Sequence, residues 1–142
     1  MSEFEESLTA GKSGERLFAA ALMKRGHSVE DLSNIREYQL KDIDFRISKN
    51  NQTTTVEVKN DKASEYTGNV FIEIRNCNNR SRNYDGWANY CEADYIAFVQ
   101  PQSKRAHIVD REELINDCAK GNYRKAIGAD AIGYLVPIWK LR

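Results

Sequence analysis

The feature that most constrains this chain is a pair of alternating segments joined by a very short link. Between Asp42 and Ile47 the residues alternate, with Ile43, Phe45 and Ile47 on one side and Asp42, Asp44 and Arg46 on the other. After Lys49-Asn50-Asn51-Gln52 the alternation resumes, placing Val56 and Val58 on the apolar side and Thr55, Glu57 and Lys59 opposite. Two half-buried strands so close in sequence form a hairpin. Asn tolerates positive φ, so a two-residue Asn50-Asn51 turn pairs Lys49 with Gln52. Counting outward, Arg46 faces Thr55, Asp44 faces Glu57 and Asp42 faces Lys59, because register in a hairpin follows from its turn.

The remaining elements are set around this hairpin. A helix with one apolar face runs from Ser13, read as its N-cap, through Leu17, Phe18, Ala21 and Leu22 to a stop at Gly26. A short extended piece covers Val29 to Leu32. A third alternating run, Val70 to Arg75, sends Val70, Ile72 and Ile74 inward and completes a meander with the hairpin. A short helix from Trp87 to Cys91, strands at Tyr95–Val99 and Ala106–Val109, a helix at Arg111–Ala119 and an extended segment from Ile132 to Ile138 follow. The order predicts an α/β or α+β class with a mixed central sheet, the hairpin meander flanked by helices. No linker or repeat divides the chain, so residues 1–142 are expected to form a single domain.

Composition removes several alternatives. The longest apolar run, Leu17 to Met23, is far short of the ~20 residues of a membrane span, and nothing resembles a signal peptide, so a cytoplasmic protein is expected. Cys77, Cys91 and Cys118 form no C-x-x-C pair, which argues against a disulfide framework or zinc ribbon. His27 and His107 have no ligand-spaced partner. The 21 Lys+Arg balance the 21 Asp+Glu, which excludes a bulk polycation but not a local basic patch.

The polar face of the hairpin carries the chemistry. Like charges directly opposite each other destabilise a sheet unless a cation intervenes, and the register sets Asp44 against Glu57. Two carboxylates with a backbone carbonyl and waters suit Mg2+. Lys59 lies two residues beyond Glu57 on the same face, where an ammonium can orient an attacking water and offset charge developing on a phosphodiester. The competing reading is a solvated strand face with a weak ion pair.

Asp44, then Glu57-Val58-Lys59, preceded by a helix carrying Glu15 in Gly14-Glu15-Arg16-Leu17-Phe18, resembles the PD-(D/E)xK nuclease superfamily, in particular its small Holliday-junction-resolvase-like and phage-encoded endonucleases. Ile43 stands where the motif's proline would be. The resemblance covers roughly residues 12 to 100. It implies a restriction-endonuclease-like core in which Asp44 and Glu57 bind Mg2+ or Mn2+, Lys59 assists the water, and Glu15 completes the site. Glu73 would add a ligand if the third strand bordered the second; otherwise it is a surface carboxylate paired with Arg75 or Lys59.

Cations near the site are candidate DNA contacts: Lys12, Lys62, Arg75, Arg80 and Arg82, with Asn76, Asn78, Asn79, Asn83, Tyr84 and Trp87 among them. The expected activity is a Mg2+-dependent DNA endonuclease acting on duplex or branched DNA, and resolvase-like relatives imply a homodimer, since two strands need two sites. The alternative is a catalytically silent nucleic-acid-binding or assembly module that keeps the fold.

Overall fold

The computed structural model describes the backbone of residues 3–141 and the side chains of residues 14–141. Helix α1 (Glu3–Lys24) opens the chain. It starts ten residues before the expected N-cap at Ser13, because the preceding Glu, Leu and Ala residues are strong helix formers and carry the helix through Gly11. Its end is as expected. Gly26 takes φ 85°, His27 N–H donates to Leu22 O and Gly26 N–H to Met23 O, which together make a Schellman cap.

Strands β1 (Ser28–Asp31), β2 (Phe45–Lys49), β3 (Gln52–Asn60), β5 (Tyr95–Gln100) and β6 (Arg105–Asp110) form one sheet in the order β1-β2-β3-β5-β6. Every neighbouring pair is antiparallel except β3 and β5, so the sheet is mixed. The second sheet, β4-β8-β7, is antiparallel and uses β4 (Asn69–Asn76), β7 (Arg124–Ile127) and β8 (Ala131–Pro137). Short helices α2 (Arg36–Leu40), α3 (Ser64–Thr67) and α4 (Trp87–Tyr90) and the longer α5 (Arg111–Ala119) connect them. The Asp110 side chain caps α5 by accepting from Glu113 N–H.

Asn50 and Asn51 both have left-handed backbones, φ 52° and 64°, the requirement of a type I′ hairpin, and Lys49 pairs with Gln52 and Arg46 with Thr55. Two readings are corrected. The meander exists, but its third member is β1 on the outer side of β2; the 70–75 run leaves for the second sheet, and β5 takes the place beside β3. Strand β2 also begins at Phe45 rather than Asp42. Asp42 has φ 57°, a turn conformation that its short polar side chain tolerates.

That turn reverses Ile43. Phe45 and Ile47 pack with Val56, Val58, Ala97 and Val99 under Phe18 and Leu22 of α1. Ile43 instead joins the core on the opposite face, with Leu32, Ile72, Trp87, Ile96 and Phe98. The large sheet is thus covered by α1 on one face and by the second sheet with α4 and α5 on the other. Central β5 is apolar on both faces for this reason.

Candidate active site

Val56 and Val58 point toward α1, so Glu57 and Lys59 project to the other face of β3. There the parallel register sets Glu57 beside Ile96 and Lys59 beside Phe98, both members of the core beneath the second sheet. The E-x-K run is therefore buried, not solvated: Glu57 is 7% exposed, and the Lys59 side chain 25%. Carboxylates are placed this way only where something compensates the lost hydration.

The ladder between β2 and β3 ends at Phe45–Val56. One residue further, Asp44 N–H still donates to Val56 O at 3.0 Å, and Asp44 Oδ2 accepts the Val58 N–H at 2.8 Å. The Asp44 carboxylate thereby substitutes for the strand backbone that turned away at Asp42, and is fixed beside Glu57. Side chains, rather than a regular ladder, bring Asp44 to Glu57 and Asp42 to Lys59.

Glu57 Oε2 is buried and receives no hydrogen bond from any donor among the described residues. The Glu57 carboxyl meets that of Asp44, and two such acceptors share the space only with a proton or a cation between them. Burial pushes Glu57 up to about 11; Lys59 pulls against this, while Asp42 and Asp44 add to it. Burial raises Asp44 as well, opposed by its bonds from Val58 N–H and Glu57. Oxygen donors from two adjacent segments, facing each other across one proton, fit a divalent cation such as Mg2+, which would displace that proton. Among the described residues no group of three His, Cys, Asp or Glu side chains converges as a metal cage, so two carboxylates would be the protein's side-chain share.

Lys59 Nζ lies 3.0 Å from Asp42 Oδ2, 3.8 Å from Glu57 Oε1 and 5.0 Å from the centre of the Trp87 ring. Burial alone would lower the ammonium, but Asp42 and Glu57 outweigh it, and Lys59 is held above its ordinary range. Cys91 contributes structure: its thiol donates to Asp42 O, and burial pushes it up to about 12.

The other candidates are distributed around this centre. α1 crosses β3 at Gly14, where a Cβ would come 2.9 Å from Asn60 Oδ1, one residue past Lys59. Glu15 follows and lines a groove of about 320 Å3 with Asp31, Ser33, Asn34 and Phe45, on the α1 side of the sheet. Glu73 does not lie on a strand bordering β3; it sits opposite Gly133 in the second sheet, its backbone packed against Gly86. Lys62 is exposed just beyond β3. Arg80 and Arg82 lie on a 3-10 turn, and Arg82 stacks on Tyr90 with its Cζ 4.2 Å from the ring centre. The Arg75 backbone forms an isolated antiparallel β-bridge with Asp85, and its side chain lines a separate groove with Ile115, Cys118 and Tyr134. The Lys12 side chain lies outside the described residues.

Asp42 and Tyr90 take parts that the sequence does not assign them, and Trp87 takes one other than a DNA contact. The register count pairs Asp42 with Lys59 but gives it no role. Trp87 is a core residue, as its position before a buried strand suggests, and also a floor for the ammonium. Tyr90 carried no signal beyond its three-residue spacing from Trp87.

No protein-family model and no curated protein matches the chain. Two solved structures resemble it. One is a bacterial homing endonuclease, 20% identical, with a TM-score of 0.50 over 74% of this chain and 65% of that one. The other is a nuclease from a fusselovirus, 12% identical, with a TM-score of 0.51 over 93% of this chain and 82% of that one. The chain spans 65% of the homing endonuclease's length. At these identities the likeness establishes the fold: a mixed α+β architecture shared with nucleases. Among the described residues no helix is long and apolar enough to cross a membrane.

Proposed function

We propose that this chain is a Mg2+-dependent endonuclease of the PD-(D/E)xK kind that hydrolyses DNA phosphodiester bonds. The observation that carries the reading is the carboxyl pair of buried Glu57 and half-buried Asp44 with the Lys59 ammonium beside it. Asp44 and Glu57 would hold the cation, with Mn2+ able to substitute; Glu15, on the α1 side of the sheet, is left out of this set. The bound cation supplies Lewis-acid activation of the phosphodiester and its attacking water.

The chain's own groups do the rest. Lys59 stays charged because Asp42 above all holds it above its ordinary range, so it orients the attacking water and offsets phosphate charge rather than accepting a proton. Asp42 and Trp87 fix its position. The apolar floor of Ile96 and Phe98 limits water and strengthens each of these interactions. A duplex presents two strands to cut, so a homodimer with two sites is the assembly proposed.

The test is cleavage of supercoiled, linear, single-stranded and four-way-junction DNA with Mg2+, Mn2+ or EDTA. Cation-dependent cleavage by the wild type, lost in Lys59→Ala and Asp44→Asn, is the expected result. Activity surviving both substitutions contradicts the assigned site, and no cleavage of any substrate with either cation points to a binding module instead.

A further inference from the structure

Helix α4 is a single turn, and its two aromatic residues, Trp87 and Tyr90, stand three apart and so share a face. Each carries a cation: Lys59 lies over Trp87 at 5.0 Å and Arg82 over Tyr90 at 4.2 Å. The same face therefore sets the spacing between the ammonium of the candidate site and a guanidinium at its rim. Burial raises the Tyr90 phenol, and Asp42, Lys59, Arg82 and Glu73 all act on it electrostatically.

The segment that delivers Arg82 is built rigidly. Asn83 and Tyr84 both have left-handed backbones, φ 54° and 64°, and for a bulky aromatic residue that conformation is strained. The strain is held by pairing: Tyr84 N–H donates to Asn79 O, Asn76 N–H to Tyr84 O, and Gly86 N–H to Ile74 O. Asn89 Nδ2 donates to Ile74 O as well. Gly86 lies so close to the Glu73 backbone that a Cβ has no room.

We propose that Arg82, stacked on Tyr90, is a preorganised clamp for a DNA backbone phosphate neighbouring the one presented to Lys59. This rests on the nuclease reading and adds to it the residues that set where the strand lies. A stacked guanidinium keeps its edge donors free in a fixed plane, the geometry that grips a phosphate in two-point fashion. Tyr90 is a positioning residue acting through Arg82.

The experiment measures DNA affinity against salt concentration in Ca2+, and KM and kcat in Mg2+, for the wild type, Arg82→Ala, Arg82→Lys, Tyr90→Leu and Tyr90→Phe. Arg82→Ala is expected to weaken binding about tenfold and to reduce the slope of log affinity against log salt by about one, with the loss falling on KM rather than kcat. Arg82→Lys restores the slope but not the full affinity. Tyr90→Leu lowers affinity, and Tyr90→Phe, which keeps the stacking ring, recovers most of it. An unchanged slope and KM in Arg82→Ala, or Tyr90→Phe as damaging as Tyr90→Leu, overturns the clamp. Cleavage that needs Asp44 but ignores Arg82 removes the clamp and leaves the nuclease; an Arg82-dependent salt slope without cleavage does the reverse.

Discussion

Lys59 is anchored 3.0 Å from Asp42, nearer than the 3.8 Å that separates it from Glu57. The ammonium is thus fixed by a carboxylate outside the pair proposed to hold the cation, leaving Asp44 and Glu57 free for that task. Asp42→Asn removes the largest influence raising Lys59 while burial continues to lower it. We expect kcat to fall about 10- to 100-fold and the alkaline limb of the pH–rate profile to move to lower pH. Asp42→Glu should recover part of both. An unaltered profile in Asp42→Asn would show that Lys59 does not depend on Asp42.

Glu57→Gln separates stability from function. An acid at about 11 in the folded chain, against 4.5 ordinarily, binds more protons folded than unfolded between those values. Its contribution to metal-free stability is complete below 4.5 and is lost as pH rises toward the folded value. In EDTA the wild type should therefore melt lower at pH 8.5 than at pH 6. Glu57→Gln, permanently neutral, should flatten that slope and raise Tm at pH 8.5 by about 3–6 °C while abolishing cleavage. Calorimetry across the pH series checks it.

On the proposed reading, a divalent cation displaces the proton shared by Asp44 and Glu57. Mn2+ should therefore raise Tm more at pH 8.5 than at pH 6, approaching about 2.7 kcal/mol of stabilisation at a hundredfold excess over Kd. The increment should vanish in Asp44→Asn. Thermal shift titrations at the two pH values measure it.

Gly86→Ala tests the rigidity of the segment carrying Arg82. Its Cβ would collide with the carbonyl group of Glu73 in β4, backbone that cannot swing aside. A loss of about 1–3 kcal/mol and weaker DNA binding are expected, read by urea unfolding and by affinity in Ca2+.

Much of the site was legible because one short turn determines it. Two Asn residues suffice for a type I′ hairpin, and the hairpin carries Glu57 and Lys59 to one face with Asp44 nearby. Alternation from Asp42 to Ile47 reads as a continuous strand, so the left-handed turn at Asp42 and the reversal of Ile43 were not visible. Nor was the burial of Glu57: that depends on a second sheet whose strands β4, β7 and β8 lie far apart in sequence. The destination of β4 hinged on the 60–68 connection, which holds no register information. Tyr90 and Arg82 meet because the connection from β4 to β5 folds back onto β4.

The most direct test of the central claim is anomalous scattering from crystals soaked in Mn2+ at pH 8. The account predicts a Mn2+ peak between the Asp44 and Glu57 carboxylates in the wild type and none in Asp44→Asn. A fully soaked wild-type crystal with no peak between those carboxylates would contradict it.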